Sequence, residues 1–200
     1  MEMGIGKQAK TVSSKQALII CDYLSRTRNP KRDIVIFLFS VKAGLRAKEI
    51  ALLTWEMLLT PEGELGDRIA ITNQASKGKS GREIPLNSKL RNALHELLEL
   101  EKSKSNFLPN QRVIQTQRSN KTSPQIIINM FSRWYKDLGL IGCSSHSGRR
   151  TFISNAARKI STVGGSLRDV QLLAGHANLQ TTQVYIDFDI DSHRKVVELI

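Results

Sequence analysis

The stretch Leu172–Tyr185, LLAGHANLQTTQVY, decides how this chain is interpreted. Gly175 suits the C-terminal cap of a helix, and His176 follows it directly. Tyr185 ends the stretch. A phenol has a pKa of about 10, so it is a poor nucleophile at neutral pH unless cationic donors surround an electrophile such as a phosphodiester. Because the surrounding chain is rich in such donors, the stretch predicts covalent chemistry on nucleic acid.

The charge of the chain points to a polyanionic partner. Among 200 residues, Lys and Arg number 30 and Asp and Glu number 18, which gives a net charge of +12. Such an excess favours phosphate contacts, because each contact releases counterions. An anionic membrane surface would also satisfy the charge. However, the longest apolar run, Ile34–Val41, is far shorter than the roughly 20 residues that span a bilayer. We therefore expect nucleic acid and no membrane.

The N-terminal residues and the cysteines predict a cytoplasmic protein. The first residues, MEMGIGKQAKTVSS, lack the apolar core of a secretory signal. Cys21 and Cys143 lie in unrelated contexts without metal-ligand spacing, which favours reduced thiols over a disulfide. No Asp/Glu or Cys/His cluster has metal-binding spacing either, so we expect no metal and no cofactor.

Hydrophobic periodicity predicts a mainly helical chain with a small antiparallel β-sheet, an α+β fold. The strands are expected at Arg68–Thr72 and Arg82–Leu86, with turns between them. Helices are expected at about 15–27, 31–43, 48–54, 88–102, 123–139, 148–158, 167–173, 181–188 and 192–200. We predict a flexible leader over 1–12, one domain over 13–190 and a C-terminal helix over 191–200.

Arg46 and Glu49 lie in the segment GLRAKEIALLTW, on one face of a predicted helix. Taken alone, such a pair is most simply a surface ion pair worth about 0.2–0.5 kcal/mol. A planar guanidinium also suits a phosphate, because it can donate two parallel hydrogen bonds to non-bridging oxygens. The segment therefore has both a structural and a functional interpretation.

The hairpin segment SKGKSGREIPL resembles the end of a nucleotide-binding P-loop, but the likeness fails. Asn73 stands where the first glycine is needed, and a strand rather than a helix is predicted to follow. Lys77 and Lys79 instead lie on a predicted turn, where a contact with nucleic acid is one interpretation. The alternative is an ordinary basic surface turn.

His146 and Arg149, in HSGRRTFIS, are one helical turn apart and share a face. A capped helix with a solvated arginine would explain this pair alone. Together with Arg46, however, two guanidiniums and an imidazole could surround one phosphate. Arg150 is interpreted as structural or as contacting the DNA backbone. Gly148 costs up to about 1 kcal/mol inside a helix, so it weakens the prediction of local order.

These four segments resemble, in order, the motifs of the tyrosine recombinases, the phage-integrase family, whose C-terminal motif is typically LLGHxxxxTTxxY. The resemblance covers about residues 15–190 and implies their catalytic-domain fold. It implies Tyr185 as the nucleophile, Lys77 as the general acid with Lys79 left open, and Glu49 as a supporting acid. It further implies Arg46, Arg149 and His176 as phosphate ligands. His146 would accept a proton or orient the phosphate.

The implied activity is site-specific DNA recombination. Strands would be cut and rejoined through a covalent 3′-phosphotyrosyl intermediate, which stores the energy of the diester and needs neither metal nor ATP. Two alternatives remain: a non-catalytic DNA-binding regulator derived from a recombinase, and a generic helical nucleic-acid binder. The target site and the outcome, whether integration, excision, inversion or resolution, stay open.

The size resembles compact fimbrial phase-variation invertases or short integrases of mobile elements. Most family members carry an N-terminal helical clamp, yet only about a dozen residues precede the first predicted helix here. The resemblance implies double-stranded DNA and further copies in a homotetramer on that DNA as partners. Because the clamp is missing, an accessory DNA-bending protein is also expected. The helix Ser192–Ile200 would dock on a neighbouring protomer or fold back on its own core. A nucleoid-associated protein of the cytoplasm is expected.

Overall fold

A computed structural model of the chain describes residues 9–76, 80–116, 121–185 and 197–198. Two strands, β1 (Arg68–Ile71) and β2 (Arg82–Pro85), form an antiparallel sheet. The helices within the described residues are α1 (Ser14–Ser25), α2 (Pro30–Ala43), α3 (Ala47–Leu52), α4 (Ser88–Lys102), α5 (Pro124–Asp137), α6 (Ser147–Lys159), α7 (Leu167–Ala174) and α8 (Leu179–Gln183). The predicted mainly helical fold with a small antiparallel sheet is confirmed.

Helix α2 is the centre of the core, and α1, α4 and α6 pack around it. Pro30 begins the helix, and Gly44 ends it with a left-handed φ of 65°. A Cβ at Gly44 would lie 2.4 Å from the Phe152 ring of α6, so no larger residue fits. This close crossing brings the end of α2 and the beginning of α3 beside α6, which carries Arg149.

Helix α6 approaches α2 closely because Gly148 has no side chain. A Cβ there would lie 2.3 Å from the Ser40 hydroxyl oxygen and 2.9 Å from a methyl of Val41. The helix is continuous through this position. The sequence argument that Gly148 weakens local order was therefore wrong, because close helix packing offsets the poor helix propensity of glycine.

The sheet has one buried face and lies against α7. Ile69 pairs with Ile84, and Ile71 pairs with Arg82, so these four side chains share a face. The isoleucines are buried in the main core. Arg82 is therefore a charged residue on the inner face of the sheet.

A second, smaller apolar cluster forms between α6 and α7. Its buried members are Ile153, Val170 and Ala174, and the Tyr185 ring packs against them. The main core and this cluster are thus separate, and Tyr185 belongs to the smaller one.

Helix α8 and two short 3-10 helices differ from the sequence-based predictions. Helix α8 begins after Asn178, whose side-chain oxygen accepts from the Thr181 backbone N–H, and it ends at Gln183. Tyr185 therefore follows α8 rather than lying within the predicted helix 181–188. Two short 3-10 helices, Trp55–Met57 and Ile160–Val163, were not predicted.

The predicted flexible leader, residues 1–12, needs a correction at its end. The Lys10 backbone N–H donates to the Gly142 carbonyl at 3.0 Å, and Val12 donates to the Thr151 hydroxyl at 2.7 Å. The Val12 side chain is buried in the main core. Residues 10–12 are thus held by backbone hydrogen bonds and apolar burial.

Several predictions fall outside the described residues. These include residues 1–8 of the leader and nearly all of the C-terminal helix 191–200. In the described part of the chain, no helix combines the length and the apolar composition required to cross a bilayer.

Candidate active site

Arg149 is the most deeply buried cation of the site, with 4% of its surface exposed. One guanidinium nitrogen donates to the Gly44 carbonyl at 2.6 Å and another to the Ala174 carbonyl at 2.7 Å. Both acceptors lie at the C-terminal ends of helices, where carbonyls lack helical partners and the helix dipole is negative. Burial, followed by the charge of Arg46, lowers the pKa of Arg149 to about 10, so it stays protonated at neutral pH.

Glu49 is a buried carboxylate that joins two arginines, Arg46 and Arg82. Its oxygens accept from the Arg46 guanidinium at 2.9 Å and from Arg82 at 2.9 and 3.2 Å. It also accepts from the Arg46 backbone N–H at 2.8 Å, which caps α3. Burial raises the pKa of Glu49, but the hydrogen bonds and charges of Arg82 and Arg46 outweigh burial and hold that pKa below its usual value.

The Arg46–Glu49 pair is therefore no surface ion pair. The Glu49 side chain is 1% exposed, while that of Arg46 is 26% exposed. Arg46 is turned toward α7 as well, since it donates to the Gly175 carbonyl at 3.4 Å. Its position between a buried acid and an open cleft fits the functional interpretation better than the surface one.

Arg82 was missed as a site residue by the sequence analysis, which placed it only in a strand. Its side chain is 7% exposed and pairs with Glu49, while its Nε donates to the Leu173 carbonyl at 2.8 Å. Arg82 therefore joins β2, α3 and α7. The available signal was the strand pattern, because an arginine two residues before the inward-facing Ile84 occupies an inward position.

His176 follows Gly175, the C-terminal cap of α7, and its ring stacks on that of Tyr185. Its Nδ1 is 2.9 Å from the hydroxyl oxygen of Thr182, which is fully buried. Burial lowers the pKa of His176 to about 4, and the charges of Arg149, Arg46 and Arg82 contribute to this shift after burial. The imidazole is therefore neutral at physiological pH.

Tyr185 stacks on His176, with ring centroids 5.6 Å apart and an interplanar angle of 24°. Its carbonyl accepts from the Ser154 hydroxyl of α6 at 3.1 Å, and its N–H donates to the Thr182 carbonyl at 3.0 Å. Together with packing on the smaller apolar cluster, these contacts place the phenol ring beside His176 and the helix that carries Arg149.

Two adjoining clefts meet at Thr181. One, of about 1090 Å³, is lined by Arg46, Arg82 and His176 among others. The second, of about 550 Å³, is lined by residues that include His146, Arg149, Arg150 and Tyr185. His146 is exposed at the start of α6. A substrate group that spans the two clefts would contact imidazoles, guanidiniums and the phenol.

The roles of the two hairpin lysines stay predictions. Lys77 and Lys79 lie outside the described residues, so the choice between them as the general acid stays open. The residues after their loop do form a strand, as predicted, and not the helix that a nucleotide-binding P-loop requires. Across the described ranges, no group of three or more His, Cys, Asp or Glu side chains could hold a metal ion.

The chemistry available here is stabilisation of a developing anion. Arg46, Arg149 and neutral His176 converge from α3, α6 and the end of α7. Donors that are already oriented and partly desolvated stabilise negative charge most strongly, because they need no reorganisation when it develops. The neighbouring phenol of Tyr185 is the nucleophile that such a site could use.

Comparison with known proteins agrees with the family resemblance of the sequence motifs. The family model described as the Phage integrase family matches residues 10–191. The tyrosine recombinase XerA of Thermococcus onnurineus is 28% identical over 171 residues, which cover 84% of this chain and 55% of the relative. XerC of Proteus mirabilis is 30% identical over 158 residues, covering 78% and 47% respectively. The chain thus spans about half the length of these curated relatives.

Solved structures share the fold. The Tn1549 transposon integrase, in complex with a circular intermediate DNA, superposes with a TM-score of 0.74 at 18% identity, covering 96% of this chain and 66% of that one. The crystal structure of XerA recombinase gives a TM-score of 0.71 at 20% identity, with 94% and 64% covered. At such identities the likeness establishes the architecture alone.

Proposed function

The chain belongs to the phage integrase family, and from that premise we propose that it carries the catalytic site of a site-specific DNA recombinase. It would cut and rejoin DNA strands through a 3′-phosphotyrosyl intermediate. One observation carries this proposal: the Tyr185 ring stacks on His176, while Arg149 and Arg46 reach the carbonyls of residues 174 and 175 immediately before that histidine.

In the proposed reaction the Tyr185 phenol oxygen attacks the scissile phosphorus. A phosphorus–oxygen bond to tyrosine forms as the bond to the 5′ oxygen breaks. Arg46, Arg149 and His176 stabilise the negative charge on the non-bridging oxygens. His146 accepts the phenol proton or orients the phosphate, and Lys77 or Lys79 protonates the departing 5′ oxygen. Attack by a 5′ hydroxyl of another strand reverses these bond changes and rejoins the DNA.

The proposed substrate is double-stranded DNA. Its support is the net charge of +12 together with the cationic clefts. Related folds have been solved on DNA, including a lambda integrase dimer bound to a core site, with a TM-score of 0.64. We further propose a homotetramer on DNA, an accessory DNA-bending protein, and exchange of residues 191–200 between protomers.

A covalent-trapping experiment tests the proposal. The protein is incubated with nicked suicide-substrate DNA and run on a denaturing gel. The wild type should give a protein–DNA band that survives denaturation. Tyr185→Phe keeps the ring and its stacking on His176 but removes the attacking oxygen, so it should bind DNA and give no such band.

Tyr135→Phe is a matched control. The Tyr135 hydroxyl is buried and has no hydrogen-bond partner among the described residues, so its removal should leave the fold and the adduct intact. An adduct that persists in Tyr185→Phe would refute the assignment of the nucleophile. DNA binding with no adduct in the wild type would favour the non-catalytic regulator instead.

A further inference from the structure

Two adjacent threonines of α8 have different environments. Thr181 is exposed, and its hydroxyl bonds to the Asn178 side chain at 2.7 Å. Thr182 is 0% exposed, and its hydroxyl oxygen lies 2.9 Å from Nδ1 of His176. That contact is the only side-chain hydrogen bond that the described residues give to Thr182. A buried polar group with one partner should have a defined donor and acceptor arrangement.

The position of the proton follows from the cost of a buried unsatisfied donor. A threonine hydroxyl carries one proton and two lone pairs. If Nδ1 donated to the Thr182 oxygen, the hydroxyl proton would point into a buried space with no acceptor among the described residues. Leaving a buried donor unpaired is costly. The hydroxyl therefore donates to Nδ1, which must be unprotonated to accept.

This arrangement determines what the other nitrogen can do. A neutral imidazole with a bare Nδ1 carries its proton on Nε2. In the described part of the chain, Nε2 of His176 has no hydrogen-bond partner. The ring also borders the cleft that contains Arg46 and Arg82. A protonated Nε2 can thus donate to an anionic oxygen there, whereas a bare Nε2 could not.

We propose that Thr182 is a positioning residue that holds neutral His176 as the Nε2–H tautomer, so that His176 donates a hydrogen bond to the scissile phosphate. The catalytic part rests on the proposed recombinase function. The tautomer itself does not depend on that function. Thr182 acts only through the imidazole and does not touch the reacting atoms.

Nitrogen NMR on the labelled full chain tests the tautomer directly. The chain has 4 histidines, and His176→Gln identifies the resonances of His176. In the wild type, Nε2 should be protonated and Nδ1 should be an unprotonated hydrogen-bond acceptor. Thr182→Ala should shift the Nδ1 resonance, and Thr182→Ser should leave it in place. A protonated Nδ1 in the wild type would overturn the proposal.

Cleavage kinetics on nicked DNA test the consequence. Loss of one hydrogen bond predicts that Thr182→Ala and Thr182→Val form adduct roughly 3- to 10-fold more slowly at saturating DNA, with DNA affinity unchanged. Thr182→Ser should recover the wild-type rate. Thr162→Ala, which removes an exposed hydroxyl bonded to the Lys159 carbonyl, is the control and should not change the rate.

The variants distinguish the two proposals. Valine matches the shape of threonine, and alanine avoids any clash of a methyl with the ring, so one of them should fold. Equal rates for the serine and alanine variants would overturn a role for the hydroxyl. If the wild type forms no adduct at all, the recombinase proposal fails, while the NMR result still decides whether Thr182 sets the tautomer.

Discussion

The charged floor of the site, Arg46, Glu49, Arg82 and Arg149, and its tyrosine edge, residues 176–185, are built in opposite ways. The floor joins α3, α6, α7 and β2 through buried ion pairs and carbonyl contacts. The edge is a local segment around the five-residue helix α8. The groups that would bind the phosphate are thus fixed by the tertiary fold, whereas the proposed nucleophile, Tyr185, is presented by a short stretch.

The two regions should fail differently when mutated. A buried charge is tolerated only when paired and hydrogen-bonded, so each floor residue supports both the fold and the site. The edge is attached to α6 by the Ser154–Tyr185 hydrogen bond at 3.1 Å and by apolar packing. We expect substitutions in the floor to lower the free energy of unfolding. Substitutions in the edge should mainly slow adduct formation.

The largest effect is expected for Glu49→Gln. The amide keeps the shape of the carboxylate but leaves the Arg46 and Arg82 guanidiniums without a buried counter-charge. Removing one partner of a buried ion pair costs about 3–5 kcal/mol in the free energy of unfolding, which urea denaturation measures. Glu83→Gln, in the exposed Arg68–Glu83 pair, should change that free energy by less than about 1 kcal/mol. Similar losses for both would contradict the distinction between floor and surface.

Lysine substitutions separate charge from geometry within the floor. Arg149→Lys and Arg46→Lys should each slow adduct formation by about 10²- to 10³-fold, because a lysine cannot reproduce the planar fork. Arg149→Lys should also lower stability, since one amine cannot replace donors to both the Gly44 and Ala174 carbonyls. Arg46→Lys, at a more exposed side chain, should lower it less.

The control for the lysine substitutions is Arg91→Lys, at an exposed position of α4. It should leave both the rate of adduct formation and the urea midpoint unchanged. If Arg149→Lys lost DNA affinity while keeping the rate of the chemical step, Arg149 would contact the DNA backbone and not the reacting phosphate.

Local patterns in the sequence predicted most of the elements, because the signals are local. Gly44 and Gly175 mark helix ends, and both have a positive φ as expected. The Arg46–Glu49 contact followed from helical spacing and is confirmed. The catalytic roles of these residues came from the family resemblance and stay predictions.

The sequence patterns could not predict contacts between distant segments. Arg82 and Glu49 are 33 residues apart, and neither alone signals an ion pair. Thr182 was one of two similar threonines, and only the fold shows which one is buried against His176. Gly148 was misjudged for the same reason, because its role depends on Ser40 of another helix.

The smallest expected effect lies where floor and edge meet, at His176. Burial and the charges of Arg149, Arg46 and Arg82 lower its folded pKa to about 4 from 6.5. As pH falls below about 6.5, the unfolded chain gains a proton that the folded chain excludes until about pH 4. His176 therefore makes unfolding easier as pH falls through this window, and its contribution levels off below it.

Urea midpoints at about pH 7 and about pH 5 measure that contribution of His176. His176→Gln cannot bind the proton in either state, so its midpoint should fall less between the two pH values than that of the wild type. His95→Gln, at an exposed position of α4, should behave like the wild type. Because the carboxylates are the same in all three proteins, the difference between variants isolates His176. An unchanged difference for His176→Gln would mean that burial and the charges of the floor do not lower the pKa of His176 in the folded chain.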